Sequence, residues 1–223
     1  MSSSPHEPTR RPAQGGLLLD PVLAHRPQLI SAARPKPVSW MHHCRVGDDQ
    51  GSEGACAIFA MASWAEIRYD KAISNSHCFD TYHKALKTYN RPQGSGLYFH
   101  EAFAACKAAG IIRQRTGMFE ATLDDLYTQP LVAGYTMTRA FDNVSSWGCL
   151  DHGNPEADER GYHAVCIVGK GYGPHEAAPS VSPTYIWIEN SWGLSWGWKG
   201  LGVMTQYVHS LICKQMFKIV ELT

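Results

Sequence analysis

Cys56 is approached by the run Asp49-Gln50-Gly51-Ser52-Glu53-Gly54-Ala55 and followed by the apolar Ala57-Ile58-Phe59-Ala60. A buried structural thiol needs no such approach. Thiol-dependent acyl transfer does, because it requires a thiolate, a base to generate it, a group to orient that base, and donors for the developing oxyanion. A helix beginning at Cys56 would turn its unpaired N–H groups and its dipole toward the sulfur and favour the thiolate. Gly51 and Gly54 let the backbone bend closely around it, and the Gln50 amide is a candidate donor into the same space. A lone cysteine at a helix start is more often a small hydrophobe, so the other parts must be found elsewhere in the chain.

Two later stretches offer them. His163 enters the apolar run Tyr162-His163-Ala164-Val165-Cys166-Ile167-Val168, where burial alone does not favour a histidine, and it is the candidate base. Asn190 lies in Glu189-Asn190-Ser191-Trp192-Gly193, ahead of Trp196-Gly197-Trp198-Lys199-Gly200. An Asn ending a strand can hold one imidazole tautomer while an indole keeps water off that hydrogen bond. Taken singly, these have plainer readings, a structural histidine and an aromatic-rich turn.

The elements that must carry these residues are legible as patterns. Residues 56–69 are apolar on most sides until the last turn, as a buried helix would be. Residues 79–90 and 98–109 also read as helices, the latter stopping at Gly110, with a loop at 91–96 between them. Beyond about residue 130 the pattern turns to strands at 131–137, 162–172, 185–192, 201–208 and 217–222, joined by polar loops at 148–161 and 171–183. A helical first half before a strand-rich second half indicates an α+β fold. Residues 1–36 differ from the rest. With six of the 13 prolines in that stretch and a seventh at Pro37, they read as an extended basic arm in which helix and central strand are both disfavoured.

The 223 residues suit one domain, with room for two lobes around a cleft. Twenty basic and 20 acidic side chains balance, so no charge field points to nucleic acid or a membrane surface. No apolar run reaches the length of a membrane span. Seven cysteines with no tight pairing argue against a full disulfide framework. With no signal-peptide-like segment at the start, the expectation is a cytoplasmic or otherwise not Sec-secreted protein, or one delivered or assembled with a larger particle. His42-His43-Cys44 is a poor metal set, since adjacent side chains on an extended strand diverge, and no cofactor is implied.

The blocks QGSEGAC, GYHAVCIVG and ENSWGLSWGWKG, in this order, resemble the three signature blocks of the papain-like cysteine peptidases. Pro37-Val38-Ser39-Trp40 is similar to the segment at which mature members begin, and Gly94-Ser95-Gly96 resembles their glycine-rich substrate-binding stretch. The resemblance implies a two-lobe fold over residues 37–223, a helical N-terminal lobe and a β-rich C-terminal lobe with the active site in the cleft between them. It implies Cys56 as nucleophile, His163 as general base and acid, Asn190 as orienter, and Gln50 with the Cys56 N–H as oxyanion hole. Trp192 would shield the His–Asn pair. Substrate peptide would meet Gly94, Ser95, Gly96, Tyr162, Ala164 and Trp192, with Leu131–Ala133 near the side-chain pocket. The implied function is hydrolysis of peptide bonds through a thiol acyl-enzyme. The alternative is a weakly active or inactive papain-like module serving as a binding or structural component of a larger assembly.

Departures from the pattern carry information. In place of C-G-[SA]-C-[WY] the chain has Glu53-Gly54-Ala55-Cys56-Ala57, so a cysteine usually held in a disulfide is Glu53. His163 follows Cys56 by 107 residues, short of the family's roughly 130–150, which implies a trimmed second lobe. The arm is too short for a folded inhibitory pro-segment. It is expected to be extended, with Leu17–Leu23 packing on the catalytic domain or docking a protein partner, and to anchor rather than inhibit.

Overall fold

The structure, a computed structural model, describes residues 17–18, 36–144, 146, 148–150, 160–171 and 184–223. Most of the arm, and most of the two loops expected at 148–161 and 171–183, lie outside the described residues.

In chain order the elements are β1 (Leu17–Leu18), β2 (Val38–Ser39), α1 (Cys56–Tyr69), α2 (Asn75–Thr88), β3 (Leu97–Tyr98), α3 (Phe99–Ala108), β4 (Thr116–Glu120) and β5 (Leu131–Thr136). Then come α4 (Arg139–Asp142), β6 (Tyr162–Gly171), β7 (Tyr185–Glu189), β8 (Leu201–Thr205), α5 (Gln206–Ile212) and β9 (Cys213–Glu221). The fold is α+β, as the sequence pattern indicated. Helix α1 starts and ends where its apolar run does, and every residue from Cys56 to Ile67 is buried. Its small Ala, Cys and Ser side chains let α2, α3 and β6 all approach it.

Some elements depart from the sequence reading for local chemical reasons. Helix α2 begins four residues early because the Ser74 hydroxyl accepts a hydrogen bond from the His77 N–H and caps it. The stretch 201–208 is not one strand: the Thr205 hydroxyl caps the Val208 N–H and starts α5. Strand β7 stops at Glu189, so Asn190 to Trp192 lie beyond it. Strand β4 has no clear sequence signal and is set by antiparallel pairing with β9. Residues 41–43 form a single 3-10 turn rather than a strand, with the His42 and His43 rings 4.0 Å apart. Among the described residues no three His, Cys, Asp or Glu side chains are grouped to hold a metal ion, and no helix is long and apolar enough to cross a membrane.

Strand β6 organises the rest. It pairs antiparallel with β5, β7 and β2, and at Tyr162 with β1. Successive side chains of a strand point to opposite faces. Ala164, Cys166 and Val168 accordingly join a core built on α1, α2 and α3, whereas Val165 and Ile167 join a second core with Tyr135, Phe141, Ile186, Trp192, Trp196 and α5. A helical core and a β-rich core thus share one strand, in keeping with two lobes.

Three carboxyls are sealed between these parts: Asp48, Glu66 on α1 and Glu189 at the end of β7. Glu66 accepts the Ile73 N–H at 2.6 Å, while neither Glu189 oxygen has a well-formed hydrogen bond among the described residues. Burial, with the neighbouring Asp48 and Glu66 carboxyls adding to it, outweighs the adjacent Cys44 thiol and pushes Glu189 up to about 8. Burial and Glu66 raise Asp48 to about 7, and burial raises Glu66 against the opposing Arg45 charge. Carboxyls with a raised folded pKa bind protons more tightly in the folded chain. The stability they give is full below their ordinary values of 3.8 and 4.5 and is lost as pH rises through about 7 to 8. The melting temperature is therefore expected to fall by about 5–10 °C between mildly acidic and alkaline pH. Glu189→Gln, which cannot ionise, should flatten much of that slope in a calorimetric pH series. A melting temperature indifferent to pH would contradict this account of the cluster.

Candidate active site

The loop before α1 is clipped to the loop after β7. Gln50 N–H donates to the Ser191 carbonyl at 2.9 Å, Gly193 N–H donates to the Asp48 carbonyl at 2.8 Å, and Asp49 and Trp192 form an isolated antiparallel bridge. Gln50, fully buried, is locked by two further bonds. Its Nε2 donates to the Glu53 carbonyl at 2.7 Å, and its Oε1 accepts the Ser191 hydroxyl at 2.7 Å. A carbonyl can only accept, so the amide orientation is fixed, and Nε2 keeps a second N–H. The turn that bends the chain here needs the left-handed Gly51, at φ +57°.

Cys56 is the first residue of α1, and its cap, Ala55, offers no side-chain acceptor to the first turn. The approach is tight. A Cβ on Gly54 would stand 2.7 Å from both the Gly94 and the Ser95 carbonyl oxygens, so only glycine lets these two backbones touch. The glycine-rich turn is itself held by the Tyr82 hydroxyl, which donates to the Ser95 carbonyl at 2.7 Å. Gly94 and Ser95 are thereby set beside the residues leading into Cys56.

His163 lies on β6 opposite Tyr135, on the face of the second core. Its Nε2 is 2.7 Å from Asn190 Oδ1, which also accepts the Ser191 backbone N–H at 2.9 Å. The backbone N–H can only donate, so the Asn190 atom it meets must be the oxygen. His163 Nε2 must then carry a hydrogen to bond the same oxygen, and in the neutral ring Nδ1 is left as the basic nitrogen. The Trp192 ring lies 4.7 Å from the imidazole, and Phe141 meets both edge-on at 6.0 and 6.3 Å. Trp196 stacks on Phe141 and donates its indole N–H to the Phe141 carbonyl at 2.7 Å. His163 and Asn190 are 1% and 2% exposed, so their hydrogen bond is kept from water. Nothing marks Phe141 in a polar stretch, whereas Ser191 sits inside the block that carries Asn190.

Tyr162 is half-buried at the start of β6, and Ala164 is buried opposite Gly134. Leu131–Ala133 are wholly buried within β5. Two residues of the arm pair with strands beside these residues. Leu17 and Leu18 pair parallel with Leu97 and Tyr98, just after Gly96, and Leu17 also pairs antiparallel with Tyr162, next to His163. Leu17 is 1% exposed and belongs to the same core as Leu97, Val132 and Ala164. Val22 and Leu23 lie outside the described residues.

No curated protein matches the sequence significantly. Among solved structures, xylellain, a cysteine protease from Xylella fastidiosa, superposes with a TM-score of 0.64 at 16% identity, covering 96% of this chain and 98% of that one. Procathepsin B S9 from Trypanosoma congolense gives 0.62 at 14%, over 94% and 86% of the two chains. The digestive procathepsin L2 proteinase of Tenebrio molitor larval midgut gives 0.60 at 18%, over 94% and 78%. At these identities the likeness is one of fold. The model of the papain family cysteine proteases matches residues 39–219, a span that includes the Gln50 turn, Cys56, His163 and Asn190, and the chain belongs to that family.

Proposed function

We propose that this cysteine peptidase cleaves peptide bonds through a Cys56 acyl-enzyme, with His163 as base and acid, Asn190 as its orienter, and Gln50 Nε2 with the Cys56 N–H as oxyanion donors. The observation that carries the reading is the Asn190 oxygen shared between a backbone donor and His163. It leaves Nδ1 as the nitrogen to take the Cys56 proton and later return it to the leaving amine. The locked Gln50 amide supports the same reading, because its second N–H needs no reorganisation when negative charge develops. Desolvation under Trp192 and Phe141 strengthens the His163–Asn190 bond.

Substrate is a peptide or protein strand lying between Gly94–Gly96 and Tyr162, with Trp192 on the far side of His163. An epoxide directed at papain-like thiols, followed by mass spectrometry, should modify Cys56 far faster than the other six cysteines at mildly acidic pH. Cys56→Ala should abolish hydrolysis, and Asn190→Ala should lower kcat by at least about tenfold. Equal labelling of all seven thiols would favour the inactive-module alternative.

The placement of Leu17 supports a restraining role for the arm instead of the pure anchor that its sequence suggested. Leu17–Leu18 lie between Leu97–Tyr98 and Tyr162, directly beside the strip from Gly94–Gly96 to Tyr162 that we assign to substrate, so arm and substrate compete at Tyr162. A partner that docked the arm would release the enzyme. Leu17→Asp in the full chain, or removal of residues 1–36, should raise the rate on a small peptide substrate by about tenfold or more. An unchanged rate in both would return the arm to a purely anchoring role.

A further inference from the structure

We propose that Glu53 and His83 form a clamp that positions the oxyanion donor Gln50, standing where the family pattern places a cysteine. This rests on the assignment of Gln50 above. Glu53 is bound to Gln50 twice: its N–H donates to the Gln50 carbonyl at 3.2 Å, and its own carbonyl holds Gln50 Nε2 at 2.7 Å. A movement of Glu53 is therefore a movement of the Gln50 amide. The Glu53 carboxylate is in turn 2.8 Å from His83 Nε2 on α2.

His83 is itself well placed to hold a position. Its ring stacks on Phe79, one turn earlier, at 6.4 Å and 21°. Phe79 packs edge-on against Phe59 of α1 at 5.4 Å, three residues past Cys56. The residue beside His83, Tyr82, donates its hydroxyl to the Ser95 carbonyl. Two consecutive residues of α2 thus fix the turn that presents Gln50 and the glycine-rich turn that faces it, and Phe79 references both to the start of α1. Both side chains are part-exposed, at 42% for His83 and 30% for Glu53. Water screens such a pair, so its contribution lies in placement more than in folding stability.

The test uses the full chain. His83→Leu removes the bond but keeps an apolar side chain on Phe79, and His83→Lys keeps a side-chain N–H donor for the Glu53 carboxylate. The expected result for His83→Leu is a three- to tenfold fall in kcat on a peptide amide, with KM and the rate of Cys56 alkylation by iodoacetamide each within about twofold, because alkylation forms no oxyanion. His83→Lys should recover most of the loss, and Glu53→Leu combined with His83→Leu should be no worse than the more damaging single change. In parallel, the side-chain amide NMR signals of Gln50, assigned with Gln50→Glu, should move in His83→Leu and return toward their original positions in His83→Lys. That readout tests the clamp even if the chain proves to turn over no substrate. An unchanged kcat with unmoved Gln50 signals would overturn the proposal. Equal losses in kcat and alkylation, unrescued by Lys, would overturn it too, by showing general disturbance of the site.

Discussion

The site depends on the two-sidedness of strand β6. Its alternation sends Ala164, Cys166 and Val168 into the core that contains Cys56, and His163 to the face of the other core, where Phe141 and Trp192 receive it and Trp196 backs both. A thiol and an imidazole whose side chains are supported by different cores can be brought together only where those cores meet. A one-residue slip of β6 against β5 would exchange the faces and bury the imidazole against the helices. The β5–β6 register, continuous from Leu131↔Ile167 to Thr136↔Tyr162, holds that slip off.

What β6 cannot do is hold the loops at its margin, and here a small number of backbone bonds suffices. The clip between Asp48–Gln50 and Ser191–Gly193 brings residues about 140 positions apart into one hydrogen-bonded corner. Each partner in it also serves the site in a second way. Ser191 braces both Gln50 and Asn190, and the Asp48–Asp49 backbone frames Gly193 and Trp192. The same corner is undercut by the buried carboxyls Asp48 and Glu189, which are neutral when protonated and costly when not. The corner is thus most secure on the acidic side of neutrality.

The motif residues were legible because each is tied to a local constraint that the sequence shows. Gly54 must be glycine where two backbones touch, Asn190 must follow the end of a strand, and Cys56 opens a run too apolar to be anything but a buried helix. Features resting on distant pairing were not legible. Phe141 lies in a four-residue helix with no periodic signal, β4 exists through its pairing with β9, and Ser74 and Thr205 redirected helix starts through single hydroxyl caps. The position of Leu17 between β3 and β6 depends on two strands far away in the sequence; the arm's composition points to an extended segment with Leu17–Leu23 packing on the domain or a partner, not to the strand edges that Leu17 joins. Glu53 stands out in the sequence as a departure from the family's cysteine, but its partner on α2 becomes visible only when the helix is in place.

The central claim is that Asn190 fixes the His163 tautomer so that Nδ1 is the basic nitrogen facing the thiol chemistry. The most direct measurement is imidazole 15N NMR of His163 in a Cys56→Ala chain, recorded where the ring is neutral. The account predicts the proton on Nε2, with loss of that preference in Asn190→Ala. A proton on Nδ1 in the Cys56→Ala chain, or a tautomer that does not respond to removal of Asn190, would contradict it.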